Sequence, residues 1–307
     1  MKYVKKISGV DPIRLRRING RAKATVGSIA GDIKNEAFTL DYYPGAAAAF
    51  SVRILTRGAG NGDDVIRLRR SYDDTETYIS FDDNGVLDAA AIGAFCGTSL
   101  GYVSAWLDQS GNDKHAYAPA LSKQPMIWDG AAVISLNGTI AVDLLTGTIS
   151  GSSNRVLRTA TGVISSTADP LYAFAVGCIK TGVTTQYAKI MGPPVVMAVN
   201  GGTATNRSYF FSVWRGNTIY WGAGSNLPQG TQFLRSETGV GTTFTGYLDS
   251  ASIKTASVGT SAYTTSVDIG GGGGSSHLIQ EYILYDSDES STKADIETSI
   301  NDYFGMY

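Results

Sequence analysis

The sequence predicts an all-β domain, and three observations carry that expectation. Glycine supplies 37 of the 307 residues, and Ser, Thr and Asn cluster with it in turns between apolar segments. Those apolar segments are short, and several alternate large with small side chains, the two-residue period of a strand. Helical patterns occur in only two places. There is no three-residue glycine period and no sustained apolar heptad, so collagen-like and coiled-coil rods are excluded. A composition of 43% hydrophobic and 17% charged residues excludes a disordered chain. A sandwich, a barrel and a propeller all remain open at this point.

Charge divides the chain. Residues 1–43 hold nine Lys or Arg against four Asp or Glu, so a segment of +5 precedes a body of −7, and the whole carries −2. We therefore expect a basic arm over 1–44 and one domain over 45–307. So balanced a total makes neither nucleic acid nor an anionic membrane the expected partner. The opening MKYVKKISGVDPIRLRR lacks the apolar run of a secretory signal. GAAAAFSV and PPVVMAV are far too short to cross a bilayer. Within the arm, Ile13 to Arg17 alternates apolar and basic residues and predicts a strand; the same five letters recur at Ile66 to Arg70 and predict another. Leu87 to Phe95 is alanine-rich with Asp88 placed as an N-cap, which predicts about two helical turns. Leu171 to Ile179 sets Tyr172, Phe174, Val176 and Cys178 against smaller neighbours and predicts a central strand with a filled face. Phe210 to Trp221 predicts a hairpin turning at Gly216-Asn217, with Trp214 opposite Ile219 and Ser212 opposite Trp221. Gly270 to Gly274 predicts a flexible loop. Ile296, Ile300 and Phe304 form one stripe of a terminal helix capped by Ser290 or Ser291. Cys96 and Cys178 sit in apolar surroundings and are expected as buried thiols.

Residues 62–116 carry a resemblance. VIRLRRSYDDTE, FDDNGVLDAAAIGAF and above all SAWLDQSGNDKHA, together with AAAAFSVRIL upstream and Gln280 to Tyr285 with IETSINDYFGMY downstream, resemble the concanavalin A-like lectin/glucanase domains of bacteriophage virion proteins. They are more distantly similar to the catalytic domain of fungal α-L-arabinofuranosidase B-type enzymes. The resemblance covers about 45–307. It implies a two-sheet antiparallel jelly-roll sandwich with a short C-terminal helix and an extended N-terminal arm. It implies a virion structural protein, as a tail, fibre or capsid decoration component assembled in the host cytoplasm. The expected partners are other virion proteins, further copies of the chain and a host-surface glycan. Arg14, Arg16 and Arg17 are then candidates for virion attachment. An arabinofuranosidase-like glycoside hydrolase is the alternative function.

Chemistry in the sequence is sparse. Two histidines and two cysteines give no transition-metal cluster and no Cys/His dyad, so neither metal nor cofactor is expected. His115 and His277 each follow a polar or glycine-rich stretch and are expected as solvated or turn residues. GAGNGDD and GGGGGSS lack the lysine of a phosphate loop. Glycoside hydrolysis needs a carboxylate pair, and no Asp/Glu pair can be assigned. Asp108 to Asn112 is the sharpest motif. As a binding loop, Asp108, Gln109 and Asn112 would grip sugar hydroxyls beside a stacking face on Trp106. As a turn, Asp108 and Asn112 would bond their own backbone, with Gly111 at positive φ. The turn is the expected outcome. A calcium ion at Asp108 or at Asp82-Asp83-Asn84 lacks a complete loop pattern.

Overall fold

The computed structural model describes the backbone of residues 14–18 and 21–25, then residues 38–59, 62–144, 155–164, 170–180, 187–189, 195–200, 206–215, 218–257, 266–271 and 277–307. In chain order the elements begin with β1 (Arg14–Ile18), β2 (Arg21–Thr25), α1 (Thr39–Tyr42), β3 (Ala48–Ser51), β4 (Asp64–Arg70), β5 (Glu76–Ser80) and α2 (Ala89–Cys96). Short strands follow: β6 (Gly101–Trp106), β7 (Ala116–Tyr117), β8 (Met126–Trp128), β9 (Ser135–Leu136), β10 (Thr139–Ile140), β11 (Val142–Asp143) and β12 (Val156–Thr159). Longer ones complete the chain: β13 (Leu171–Ile179), β14 (Tyr187–Lys189), β15 (Val195–Asn200), β16 (Asn206–Arg215), β17 (Thr218–Pro228), β18 (Gln232–Val240), β19 (Thr243–Leu248), β20 (Ala251–Ser257), β21 (Asp268–Gly270), β22 (His277–Tyr285), and finally α3 (Lys293–Phe304).

All the pairings among these strands are antiparallel, as the all-β expectation requires. One run is β20-β19-β18-β13-β22, with β3 and β11 both on the far edge of β22. It passes through β11 and β8 to a second group in which β6 joins β4, β7 and β8, and β7 leads to β12 and β21. Apolar residues of both groups meet in one core, including Phe50, Leu68, Trp106, Phe233, Ile279 and Tyr282. This is the sandwich arrangement, two sheets closing on a shared interior. Strands β14 to β17 form a separate four-stranded sheet.

β13 is central, between β18 and β22, and all nine of its residues are buried. Its two faces differ in what they meet. Leu171, Ala173, Ala175 and Ile179 point into the shared core, whereas Tyr172, Phe174 and Val176 pack in a second core beneath α3, against Ile296 and Ile300. The bulky face is thus the one covered by the helix. Asp88 caps α2 as predicted, accepting from the N–H groups of Ala90 and Ala91 at 2.9 Å each. α3 starts later than Ser290 or Ser291 would place it, with Thr292 as the N-cap residue; Ser290 N–H is instead held by Asp288. Across β16 and β17, Trp214 faces Ile219 and Ser212 faces Trp221, while the turn at Gly216-Asn217 lies outside the described residues. Cys96 and Cys178 are both free and buried.

Three expectations change. Leu40 on α1 belongs to the second core and Thr39 is fully buried, so the folded body takes in at least residues 38–44 of the segment expected as arm. Gly270 is not loop: it ends β21 at φ +86°, and a Cβ there would lie 2.6 Å from the Arg155 carbonyl oxygen. Only glycine fits so close a backbone approach. Gly272 to Gly274 lie outside the described residues. His277 is completely buried as the first residue of β22 rather than solvated.

Candidate functional site

The Asp108 motif folds as a fastening. Asp108 Oδ1 accepts from the N–H of Ala49 at 2.8 Å and of Ser110 at 2.9 Å; Oδ2 accepts from Ser110 Oγ at 2.7 Å and from the N–H of Lys114 at 2.9 Å. Gln109 spans the same neighbouring segment, accepting from Leu55 N–H and donating through Nε2 to the carbonyls of Ser51 and Arg53. Asn112 Nδ2 donates to the carbonyl of Ala46 at 2.9 Å, and Gly111 takes φ +87°. His115 Nδ1 accepts from the N–H of Asp108. The structure brings Trp106, Asp108, Gln109 and Asn112 together, but as a clasp on residues 46–55. Trp106 is 0% exposed, packed 6.2 Å from Phe50 between ring centroids, so it offers no face on which a sugar could stack. At Asp82, Oδ1 is taken by the N–H groups of Asn84 and Val86. Arg14, Arg16 and Arg17 lie on β1, which pairs with β2 through Arg14 opposite Thr25, Arg16 opposite Lys23 and Arg17 opposite Ala22.

A cavity of about 310 Å³ opens elsewhere, lined by Arg69, Tyr102, Leu121, Ser122, Gln124 and Arg155. Strand register builds it. Arg69 on β4 stands directly opposite Tyr102 on β6, and its guanidinium lies over that ring at 4.9 Å. Arg155, just before β12, places its guanidinium 5.3 Å from the same ring. Its carbonyl accepts from Gly271 N–H at 3.0 Å and abuts Gly270, so the start of the glycine run seats the backbone of Arg155. Gln124, at the end of a single 3₁₀ turn (Leu121–Lys123), accepts from Arg69 Nε, while Arg69 Nη1 pairs with Asp74.

Electrostatically the two arginines differ. Arg69 has a carboxylate partner. Arg155 Nη1 is closed off from solvent with no hydrogen-bond acceptor, and burial lowers the proton affinity of the guanidinium while Asp143 opposes that effect. A buried cationic donor without an acceptor is costly. Among the described residues the lining contains no carboxylate. None of its residues stood out in the sequence. Arg69 lies in the second IRLRR, where alternation predicts a strand but not its partner. Arg155, in SSNRVLRT, carries no signal of its own.

No protein-family model matches the chain, and no curated protein sequence does. Among solved structures, it is similar to a GH54 α-L-arabinofuranosidase soaked with a cyclic sulfate inhibitor, at TM-score 0.58 and 19% identity. It is likewise similar to an arabinofuranosidase complexed with arabinofuranosyl-α-1,2-xylobiose, at TM-score 0.58 and 18% identity. In both cases the alignment takes in 83% of this chain and 62% of the other, so the chain spans about three-fifths of the length of those enzymes. The likeness establishes the β-sandwich fold.

Proposed function

We propose that the chain is a virion structural component whose sandwich binds carbohydrate. The observation that carries the binding part is the open pocket of about 310 Å³ lined by Arg69, Tyr102, Leu121, Ser122, Gln124 and Arg155, a largely polar lining with no acid among its described residues. The sandwich shared with carbohydrate-acting proteins agrees with it, though fold alone is weak support for function. The virion part rests on the resemblance of residues 62–116 and on the basic N-terminal segment.

The hydrolase alternative needs two carboxylates flanking a glycosidic bond. Among the described residues the four buried carboxylates, Asp143, Glu237, Glu281 and Glu297, are each paired with an internal cation, respectively Lys180, Arg235, Arg53 and Lys293. None is offered to a substrate by the cavity described above. A glycan array run beside a hydrolysis screen on arabinose-containing and bacterial surface polysaccharides tests the proposal. We expect binding with dissociation constants from about a millimolar to about a micromolar, or about −4 to −8 kcal/mol, and no turnover. Turnover that a single carboxylate substitution abolishes would establish the hydrolase instead, and an array blank throughout would leave an architectural role.

A further inference from the structure

Strand β5 is paired along one edge: among the described strands its partner is β4 alone. The carbonyl of Thr75, just before β5, accepts from Arg70 N–H at 2.9 Å, and Phe81 N–H, just after it, donates to the carbonyl of Asp63. Main-chain groups alternate in direction along a strand, so Thr77 and Ile79 face β4 while Glu76, Tyr78 and Ser80 face away from it. On that outer edge the carbonyl of Ser80 accepts from Asp88 N–H at 3.0 Å. Glu76 and Tyr78 form the rest of the edge; both are exposed, Tyr78 by 51%. Such an edge is a template for a further strand.

The N-terminal ribbon has the matching character. A two-stranded hairpin is marginally stable at best by itself, and β1 with β2 is a sheet of that kind. Residues 13–25 hold five Lys or Arg and no Asp or Glu, whereas residues 71–88, around β5, hold six Asp or Glu and no Lys or Arg. Ile13 to Arg17 also repeats, letter for letter, the segment Ile66 to Arg70 that β5 already accepts on its inner edge. There Arg67, Arg69 and Arg70 form ion pairs with Glu76, Asp74 and Asp73.

We infer that the β1–β2 ribbon of one copy adds to the outer edge of β5 in a second copy of this chain. Main-chain bonds supply the affinity, and opposite charge selects the partner. The contact does not depend on what the cavity binds.

Sedimentation of the full chain over a range of concentration and salt tests this. The chain should self-associate, more weakly as salt rises, and removing residues 1–37 should leave a monomer of unchanged melting temperature. Arg14→Glu, Arg16→Glu and Arg17→Glu combined should weaken association at least about tenfold. Tyr78→Pro removes an N–H that faces away from β4, a change that edge strands tolerate, and it should also give a monomer. The decisive measurement mixes the truncated chain, which lacks the ribbon, with the Tyr78→Pro chain, which lacks the edge. Each alone should be monomeric, and together they should form a one-to-one complex. Where the proline lowers the melting temperature, Glu76→Lys takes its place in the mixture. A full chain that stays monomeric at every concentration, association that survives the truncation, or a mixture that forms no complex would overturn the inference.

Discussion

Glu237 and His277 are both wholly enclosed, and burial drives each toward its neutral form. Desolvation, only partly offset by Arg235, pushes the Glu237 carboxyl up to about 7 from 4.5, and desolvation pulls the His277 imidazole down to about 3 from 6.5. The signs oppose. Between pH 3 and 6.5 the unfolded chain binds a proton at His277 that the folded one does not, so this histidine makes stability rise with pH. Between 4.5 and 7 the folded chain keeps a proton at Glu237 that the unfolded one has lost, so this carboxyl makes stability fall with pH. Each slope is about 1.4 kcal/mol per pH unit, and where the windows overlap they cancel. Urea unfolding from pH 3.5 to 8 should therefore show Glu237→Gln gaining stability relative to the parent as pH rises from about 4.5 to about 7. Parallel profiles would mean that Glu237 takes up no proton in that range. Neither environment was legible in the sequence. His277 follows a glycine run, and the partners that bury it come from strands about a hundred residues earlier in the chain, such as Ile179.

At the scale of elements, the Asp108 turn fastens β3 to the end of β6, and its energetics follow from the hydrogen bonds it replaces. Asp108→Ala strands the N–H groups of Ala49, Ser110 and Lys114. We expect a loss of about 2–4 kcal/mol by urea unfolding, with Asp108→Asn losing less because one acceptor oxygen remains. Glycan affinity should stay unchanged in both variants. Lost affinity at unchanged stability would instead make these residues a binding loop. Much at this scale could be read from local pattern. Asp88 and the alanines after it announced α2, alternation announced β4 and β13, and the expected pairing of Trp214 with Ile219 matches the register of β16 against β17, because each depends on neighbours in sequence. β22 shows where that stops. Gln280 and Glu281 look like surface residues, yet Gln280 Nε2 donates to the carbonyls of Leu136 and Thr139, and Glu281 holds Arg53 and Ser51. Those partners lie 140 or more positions away. The cavity escaped notice for the same reason, since Arg69, Tyr102 and Arg155 converge only through strand register.

For the whole molecule, the limit of the folded body can be measured. Removing residues 1–37 should leave the melting temperature nearly unchanged. Removing 1–44 also deletes Leu40 from the second core and Thr39, which bonds Arg53 and Ser299; it should cost at least about 3 kcal/mol. Equal stability of the two truncations would show that α1 is dispensable. The virion proposal adds that the 1–37 truncation no longer enters particles. The position of β22 has a consequence for how the protein is made. Its neighbours are β3, β11 and β13, and the Ser51–Glu281 bond closes a loop of 230 positions. At about 5–20 residues per second, roughly ten to fifty seconds separate the synthesis of β3 from that of the strand that completes it. Throughout that interval β3 waits on the nascent chain, joined partway by β13, with apolar faces and unpaired edges, and chains on neighbouring ribosomes present the same edges to one another. Slowing translation lengthens the exposure of each chain, whereas lowering the number of messages reduces encounters between chains, so yield of soluble protein should respond to expression level more than to elongation rate.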